Sequence, residues 1–349
     1  PATHMSAQLV VVLLSLLLGI QPITTDLYLP ALPALTLDLS GSMMQAQLTL
    51  TALSLAFGVS QLFWGPLSDR FGQRPILVWG MSFFTLASVG STLASTIELL
   101  IVWRVIQGAA MGAAVSSARA IVRDLYGPVE GARAMSKGLT GLGVLACFSG
   151  PTGAATSYFF GWRASMACIV IFGLVTTVVL FMRFIETNPH KNPRALQPRV
   201  LAGNWTIIAK TPAFWAYTAL SIAAYSALFT FLAASAFVFL EVLKVSKLTF
   251  GLTMLAVSLS YISGTFLCRR LIVRWGIRRA LHLGGYVSLG AGTVLGVMPL
   301  LGIVGYWSVF VPLLVLHAAL VLLGCLAVRR LPDPPPHPPA EHPGFWRSV

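Results

Sequence analysis

The stretch from Gly65 to Pro75, GPLSDRFGQRP, is a charged, glycine-containing segment between two long apolar runs. No acidic or basic residue occurs in residues 39–68 or in residues 75–97. Each run exceeds the roughly 20 residues that an α-helix needs to cross a bilayer. The stretch is therefore predicted to be a short turn that joins two spanning helices on one face of the membrane. Gly65 and Gly72 would supply the tight backbone geometry of this turn.

The composition is that of a multi-span membrane protein. The chain is 56% hydrophobic and 9% charged, whereas a soluble domain carries roughly 25% charged residues. The net charge of +13 falls in short loops between apolar runs, which orients membrane proteins and does not form a basic face for nucleic acid. The four cysteines lack metal-ligand spacing, and no nucleophile–base pair is apparent. We therefore expect no nucleic-acid partner, no cofactor and no enzymatic activity.

Charge-free windows predict about ten membrane-spanning helices. The last two come from one uncharged run, residues 280–328, which is too long for a single span and is divided at Gly302 and Gly305. The predicted spans lie near residues 6–34, 43–64, 76–96, 98–121, 135–160, 164–183, 212–240, 248–268, 280–300 and 304–328.

Basic residues assign the predicted loops to the two sides of the membrane. Clusters follow the second, fourth, sixth, eighth and tenth spans, and the opposite loops offer only Arg163, Lys244 and Lys247. Both termini are therefore expected in the cytoplasm. The clusters are Arg70 and Arg74; Arg123, Arg133 and Lys137; Arg183, Lys191, Arg194, Arg199 and Lys210; Arg269, Arg270, Arg274, Arg278 and Arg279; and Arg329 with Arg330.

A polar, proline-containing segment, residues 186–211, is predicted to be a cytoplasmic linker between two halves. It separates a six-helix half, residues 5–185, from an incomplete half of about four helices, residues 212–328. Residues 1–4 are interpreted as an expression remnant, and residues 329–349 as a disordered, proline-rich tail. An internal repeat supports the two halves, because Leu67, Arg70, Gly72 and Arg74 recur with the same spacing as Leu271, Arg274, Gly276 and Arg278.

Asp26, in the stretch TTDLYLPALP, is a candidate proton-coupling residue near the outer part of the first span. A carboxylate near hydrocarbon is costly, so its presence there favours a functional role in which it is protonated and deprotonated. The alternative is a capping or interfacial aspartate near Pro30. Tyr28 lies in the same stretch and is a candidate residue of a substrate cavity.

Arg104, in IVWRVIQGAAMGAA, lies well inside the fourth predicted span. An arginine at this depth needs an acceptor or a water-filled cavity. Gln107 follows three residues later on the same helical face and is a candidate cavity residue. The functional interpretation is coupling of protons or substrate; the alternative is a structural tie between helices through carbonyl contacts.

Two further groups are candidate functional features. Gly150, Pro151 and Gly153 belong to a glycine-rich fifth span, where close packing or bending is the expected role. Tyr225 and Phe229, in the seventh span, are candidates for the aromatic wall of a cavity. Aromatic side chains in membrane helices more often face lipid or neighbouring helices, and this alternative stays open.

Several stretches together resemble one family. They are TTDLYLPALP, QLTLTALSLAFGVSQLFWGPLSDRFGQRP, the RVIQG run at Arg104 and SGPTGAA at Ser149. They are similar to the drug/proton antiporter branch of the major facilitator superfamily, within the bicyclomycin/chloramphenicol resistance family of bacterial inner-membrane exporters. The resemblance implies an all-α integral membrane protein with the major facilitator fold, in which two pseudo-repeated halves rock around a central cavity.

The resemblance also implies residue roles. Asp26 and Arg104 would take part in proton coupling, and Gly150, Pro151 and Gly153 would form the antiporter signature of the fifth helix. Gly65, Asp69, Arg70, Gly72 and Arg74 would form a conformational latch, with Asp69 facing the start of an eleventh helix. The family has twelve helices, and the expected eleventh and twelfth are absent from the ten predicted here.

The predicted function is export of multiple or phenicol-type drugs, with proton antiport as the energy source. The expected partners are a small amphiphilic drug, protons and the lipid bilayer, and the expected state is a monomer in the bacterial inner membrane. Two alternatives stay open: a metabolite or sugar permease of the same fold, and a truncated membrane protein that does not transport.

Overall fold

The computed structural model describes residues 5–188, 191–211, 214–215, 218–219, 222, 226, 230–231, 234–303 and 305–329. Every regular element in these ranges is helical. The α-helices are α1 Ala7–Thr25, α2 Leu32–Asp38, α3 Met43–Phe71, α4 Gln73–Thr92, α5 Ile97–Leu125, α6 Pro128–Phe160, α7 Trp162–Arg183, α8 Pro198–Ala209, α9 Lys247–Leu300 and α10 Tyr306–Arg329. A short 3₁₀ helix occupies Leu29–Ala31, and a π-helical segment occupies Phe237–Val242.

By length and apolar composition, helical segments in the described ranges could cross a membrane. Six such segments are found: Ala7–Asp38, Met43–Phe71, Gln73–Thr92, Ile97–Leu125, Trp162–Arg183 and His282–Leu300. Much of the predicted seventh span, residues 212–240, lies outside the described residues, as do Tyr225, Phe229 and residues 330–349.

The span predicted near residues 6–34 corresponds to the segment Ala7–Asp38, which has a break at Asp26 that the sequence did not predict. Helix α1 ends at Thr25, a turn and the 3₁₀ helix follow, and α2 begins at Leu32. The cause is local, because Pro30 and Pro33 lack the backbone N–H groups that a continuous helix would bond to the carbonyls four residues earlier. The break leaves backbone carbonyls near Asp26 free to accept other hydrogen bonds.

The charged stretch that begins at Gly65 is helical over most of its length. Helix α3 continues to Phe71, and α4 begins at Gln73, so the predicted turn is reduced to Gly72. Gly72 has φ 102°, a conformation that favours glycine. A Cβ atom at Gly65 would meet no atom within 4 Å, so close packing there does not require glycine. Pro75 falls in the first turn of α4, where the absent N–H costs nothing.

Helix α9 contradicts the loop predicted between the eighth and ninth spans. It runs for 54 residues without a break, through the arginine cluster at 269–279. Pro299 is its first proline, and its Arg, Leu and Ala residues are strong helix formers, so nothing in the sequence enforces a turn. Gly276, the counterpart of Gly72 in the internal repeat, is helical. The chain does break at Gly302, which has φ 75°, where the sequence predicted it.

The chain divides into two compact units, Pro1–Ala202 and Gly203–Val349. In the first unit, α1 packs on α6, α3 on α5, and α4 on both α5 and α7. Small residues allow these close approaches: a Cβ atom at Gly108 would overlap the backbone of Leu53, and one at Gly19 would overlap Leu145. In the second unit α9 packs on α10, where the Ser260 hydroxyl donates to the Leu314 carbonyl at 2.6 Å.

Polar contacts tie the helices of the first unit together at both ends. At one end, Arg163 at the start of α7 pairs with Asp38 at the end of α2, with Nη1 2.6 Å from Oδ2. Trp162 Nε1 donates to the same carboxylate at 2.9 Å. At the other end, the C-termini of α3, α5 and α7 meet the N-terminus of α4. The helices therefore alternate in direction, as expected for consecutive membrane spans.

Candidate functional site

Arg104 is the centre of a buried polar cluster between α1, α3, α4 and α5. Its side chain is fully buried, and the residue lies two turns into α5. Nη1 donates to the Gln107 amide oxygen at 2.8 Å and to the Thr24 carbonyl at 3.3 Å, one of the last carbonyls before the break in α1. The guanidinium carbon lies 3.8 Å from the centre of the Tyr28 ring, which places the cation over the aromatic face.

The partners of Arg104 are themselves fixed by hydrogen bonds. Gln107 Nε2 donates to the Ser88 hydroxyl at 2.7 Å. Tyr28 Oη lies 2.6 Å from Thr49 Oγ1. Because the Thr49 hydroxyl donates to the Ala46 carbonyl, the phenol is the donor in its bond to Thr49. The cluster therefore sets the orientation of Tyr28, Arg104 and Gln107, three of the residues predicted from sequence.

The contacts described for the Arg104 guanidinium are all with neutral groups. No aspartate or glutamate oxygen in the described part of the chain lies within ion-pair distance of it. Its Nε and Nη2 atoms are buried and make no hydrogen bond there. A buried cation that contacts only an aromatic face, one carbonyl and one amide is costly in a membrane span. A further hydrogen-bond acceptor could therefore bind to Nε or Nη2.

Asp26 lies at the break in α1, two residues beyond the carbonyl that Arg104 contacts. Its Oδ1 lies 2.8 Å from the Thr25 hydroxyl and its Oδ2 lies 3.5 Å from the Ser149 hydroxyl. In the ranges that the structure describes, no Lys or Arg side chain pairs with this carboxylate. A half-buried carboxylate that makes no ion pair with the described residues can exchange a proton without breaking one.

The glycine-rich part of α6 positions the Asp26 segment. A Cβ atom at Gly153 would overlap the Leu27 carbonyl, so α6 lies against the backbone one residue after Asp26. Gly150 is buried on the same helix, and Ser149 directly precedes it. Pro151 lies inside α6. Of the predicted signature of the fifth span, Gly153 therefore packs against the backbone of Leu27, next to Asp26.

Of the predicted latch residues, Asp69, Arg70 and Arg74 lie beside Gly72 at the end of α3, and Gly65 lies two turns earlier in that helix. Asp69 Oδ1 lies 3.6 Å from Arg123 Nη2 on α5. Arg74 Nη2 donates to the Phe181 carbonyl of α7 at 3.2 Å. Arg70 is exposed and lies over the Phe71 ring. The described contacts of Asp69 are thus made within the first unit.

Glu186, just after α7, is a residue at this turn that sequence reasoning missed. Its carboxylate accepts the backbone N–H of Gln73 at 2.8 Å and that of Arg74 at 3.2 Å, so it caps the N-terminus of α4. It also accepts the N–H groups of Thr187 and Asn188. The chain after Glu186 also contacts the end of α3, because the Asn192 N–H donates to the Asp69 carbonyl at 2.9 Å.

The sequence offered few signals for the supporting residues. In the sequence, Glu186 is the acidic residue at the start of a polar linker. Its capping role depends on the backbone N–H of Gln73, which lies 113 positions earlier in the chain. The hydroxyl partners Thr25, Thr49, Ser88 and Ser149 are scattered in apolar spans, where such residues usually bond to their own helix. Thr25, Thr49 and Ser149 lie within the stretches that carry the family resemblance, but nothing local assigns them as hydrogen-bond partners.

Replacing Glu186 with Ala is expected to destabilise the protein by about 1–2 kcal/mol, because backbone N–H groups at the start of α4 lose a charged acceptor. Transport should fall as the Gly72 turn loosens. E186Q keeps one amide oxygen and should recover most of the stability. Thermal unfolding in detergent checks this, with E130A at an exposed glutamate of α6 as the control. A melting temperature of E186A equal to that of the unmodified protein would show that the cap contributes nothing.

Replacing Arg104 with Lys is expected to reduce transport by about tenfold or more, because an ammonium group cannot reproduce the planar stack on Tyr28 together with the bonds to Thr24 and Gln107. The matched control is R119K at an exposed arginine of the same helix. Initial transport rates of equal amounts of folded protein measure the effect. If R104K transports as well as R119K, charge alone suffices at this position.

The fold and this site together define a polytopic α-helical membrane protein with a buried polar centre in its first unit. The chain belongs to the major facilitator superfamily, whose sequence profile matches residues 14–328. This finding confirms the all-α membrane fold and the family resemblance predicted from the sequence. The superfamily consists of transporters, which agrees with the expectation that the chain is not an enzyme.

Curated relatives include drug-resistance proteins. The chain is 28% identical to the "Bicyclomycin resistance protein homolog" of Haemophilus influenzae, over 84% of this chain and 74% of that protein. It is 30% identical to the "Chloramphenicol resistance protein" of Pseudomonas aeruginosa, over 76% of this chain and 63% of that protein. It is 27% identical to "Multidrug resistance protein D" of Escherichia coli, over 86% of this chain and 75% of that protein.

Solved structures of the same fold include two transporters. The xylose transporter XylE from E. coli superposes with a TM-score of 0.72 at 14% identity, over 93% of this chain and 87% of that chain. A bacterial homologue of the human lysosomal transporter Spinster superposes with a TM-score of 0.67 at 17% identity, over 92% of this chain and 74% of that chain. At these identities the comparison defines the fold.

Proposed function

We propose that this protein exports small amphiphilic drugs of the phenicol type across the bacterial inner membrane in exchange for protons. The names of the curated relatives support the substrate class. The observation that supports proton exchange is that an aspartate and a buried arginine lie at one helix break and that neither forms an ion pair with any described residue.

In the proposed cycle Asp26 and Arg104 do the coupling. Protonation of Asp26 from the outer side removes its charge and favours release of the drug outward. Deprotonation toward the cytoplasm restores the carboxylate and resets the carrier for the next drug molecule. The Arg104 donors that make no hydrogen bond to the described residues would donate to an uncharged polar group of the drug, and the network through Gln107 and Ser88 would hold the guanidinium in place.

Tyr28 and Gln107 are proposed to contribute to drug binding. Tyr225 and Phe229 lie outside the described residues, and their role in an aromatic cavity stays a prediction from the sequence. Alternating access would follow from rocking of the two halves, and the turn at Gly72 would act as the latch. The protein is proposed to act as a monomer with both termini in the cytoplasm, as the basic loops favour.

Drug accumulation in everted membrane vesicles tests the substrate class. Vesicles that contain the protein should accumulate radiolabelled chloramphenicol when their interior is acidified, and should lose it when the pH gradient is collapsed. Matched vesicles without the protein are the control. Xylose should neither compete nor accumulate. Gradient-driven uptake of the sugar without uptake of the phenicol would replace this proposal with a permease.

A further inference from the structure

Helix α8 has two chemically distinct faces. At 100° per residue, Arg199, Gly203, Thr206 and Lys210, the residue that follows the helix, fall on one side. The apolar residues Val200, Leu201, Trp205 and Ile208 fall on the other side, together with Asn204. Val200, Leu201 and Ile208 are partly buried. The helix is only 12 residues long, about 18 Å, which is too short to cross a bilayer.

Large apolar side chains at and just after α8 remain exposed. Trp205 is 43% exposed and Ile207 is 47% exposed. Trp215 is 57% exposed, and its indole N–H donates to the Ala209 carbonyl at 2.7 Å, which holds its ring at the C-terminal end of the helix. Phe214 packs edge-on against it, with ring centres 5.4 Å apart. Tryptophan with one apolar and one hydrogen-bonding edge is the residue type that concentrates at membrane–water interfaces.

The charge of this part of the chain has a single sign. Residues 187–240 contain no aspartate or glutamate, whereas Lys191, Arg194, Arg199 and Lys210 all lie within residues 187–211. Arg194, Arg199 and Lys210 are exposed. A basic segment beside exposed aromatic residues is complementary to a layer of anionic lipid headgroups, where a protein partner would need its own acidic surface.

We propose that α8 is an interfacial helix that lies on the anionic headgroup layer of the bilayer. Trp205 and Trp215 enter the boundary between headgroups and acyl chains, and Arg199 and Lys210 contact lipid phosphates. The helix thereby fixes the connection between the two halves to the membrane surface. This inference concerns lipid binding alone and does not depend on the drug or on proton coupling.

Spin labels on the full-length protein test the proposal. Cys147, Cys168, Cys268 and Cys325 are replaced with Ser, and a nitroxide is attached to T206C or to W205C in separate samples. Collision rates with oxygen, which dissolves in lipid, and with a water-soluble nickel chelate report depth. Nanodiscs of phosphatidylcholine alone are compared with nanodiscs that contain an equal amount of phosphatidylglycerol.

The label at 205 is expected to show an oxygen-to-nickel ratio about threefold higher in the anionic nanodiscs, because the basic residues draw the helix onto the surface. The label at 206 should stay accessible to nickel in both. R199Q/K210Q should remove the response of the label at 205, whereas R133Q/K137Q, which removes two exposed charges from α6, should retain it. A label at 205 shielded from both reagents, or one that responds equally in the two lipids, would overturn the proposal.

Discussion

Asp26→Asn is expected to abolish transport driven by a proton gradient while drug binding is retained. The amide has nearly the shape of the protonated carboxyl group, so the contacts with Thr25 and Ser149 can persist. It cannot release a proton, however, so the step that resets the carrier toward the cytoplasm has no driving force. Because no ion pair in the described residues depends on Asp26, the substitution should not unfold the protein.

Binding and transport have to be measured on the same preparation. Equilibrium binding of the drug to D26N should stay within about threefold of the unmodified protein, and uptake should fall to the level of empty vesicles. The matched control is D38N in the same spanning segment, which removes the partner of Arg163 but no proposed proton carrier. Gradient-driven uptake by D26N at the rate of D38N would remove Asp26 from the mechanism.

Gly153→Ala is expected to destabilise the protein and to eliminate most of its transport. The added methyl group would overlap the Leu27 carbonyl, which is backbone and cannot move aside as a flexible side chain would. Separating α6 from the Asp26 segment costs about 1–3 kcal/mol by analogy with other overpacked contacts. It also displaces the Ser149 hydroxyl from Asp26, so activity should fall further than stability alone explains.

The control for Gly153 is a glycine with open surroundings. A Cβ atom at Gly58 in α3 would meet no atom within 4 Å, so G58A should gain up to about 1 kcal/mol from the helix preference of alanine. The two identical substitutions should therefore change the melting temperature in opposite directions. A decrease of the same size in both variants would mean that the close approach of α6 to Leu27 does not exist.

Much of the fold was accessible from the sequence because the bilayer constrains it strongly. Charge-free runs correctly located the helices from Met43 to Arg183, since each run must bury its backbone groups within one helix. Breaks were harder to predict. Gly72 and Gly276 occupy equivalent positions in the repeat, yet the first ends a helix and the second lies inside one. The first is held by Glu186, a contact that no local pattern encodes.

The site was predictable in its charged members and not in its hydrogen-bond partners. Asp26 and Arg104 were identified because ionisable groups are costly in apolar spans. The structure places both at the break in α1, where Arg104 reaches the Thr24 carbonyl. The sequence did not predict that break, and so it also did not predict that the two charges would lack a direct ion pair. Their roles in coupling remain predictions.

Proton movement caused by the drug itself is the most direct test of exchange. Purified protein is reconstituted into liposomes with a pH-sensitive dye inside and no imposed proton gradient, and a chloramphenicol gradient is then applied across the membrane. The account predicts that drug moving down its gradient drives protons the opposite way in the unmodified protein, and that D26N gives no pH change. Drug flux without any proton counterflow in the unmodified protein would contradict it.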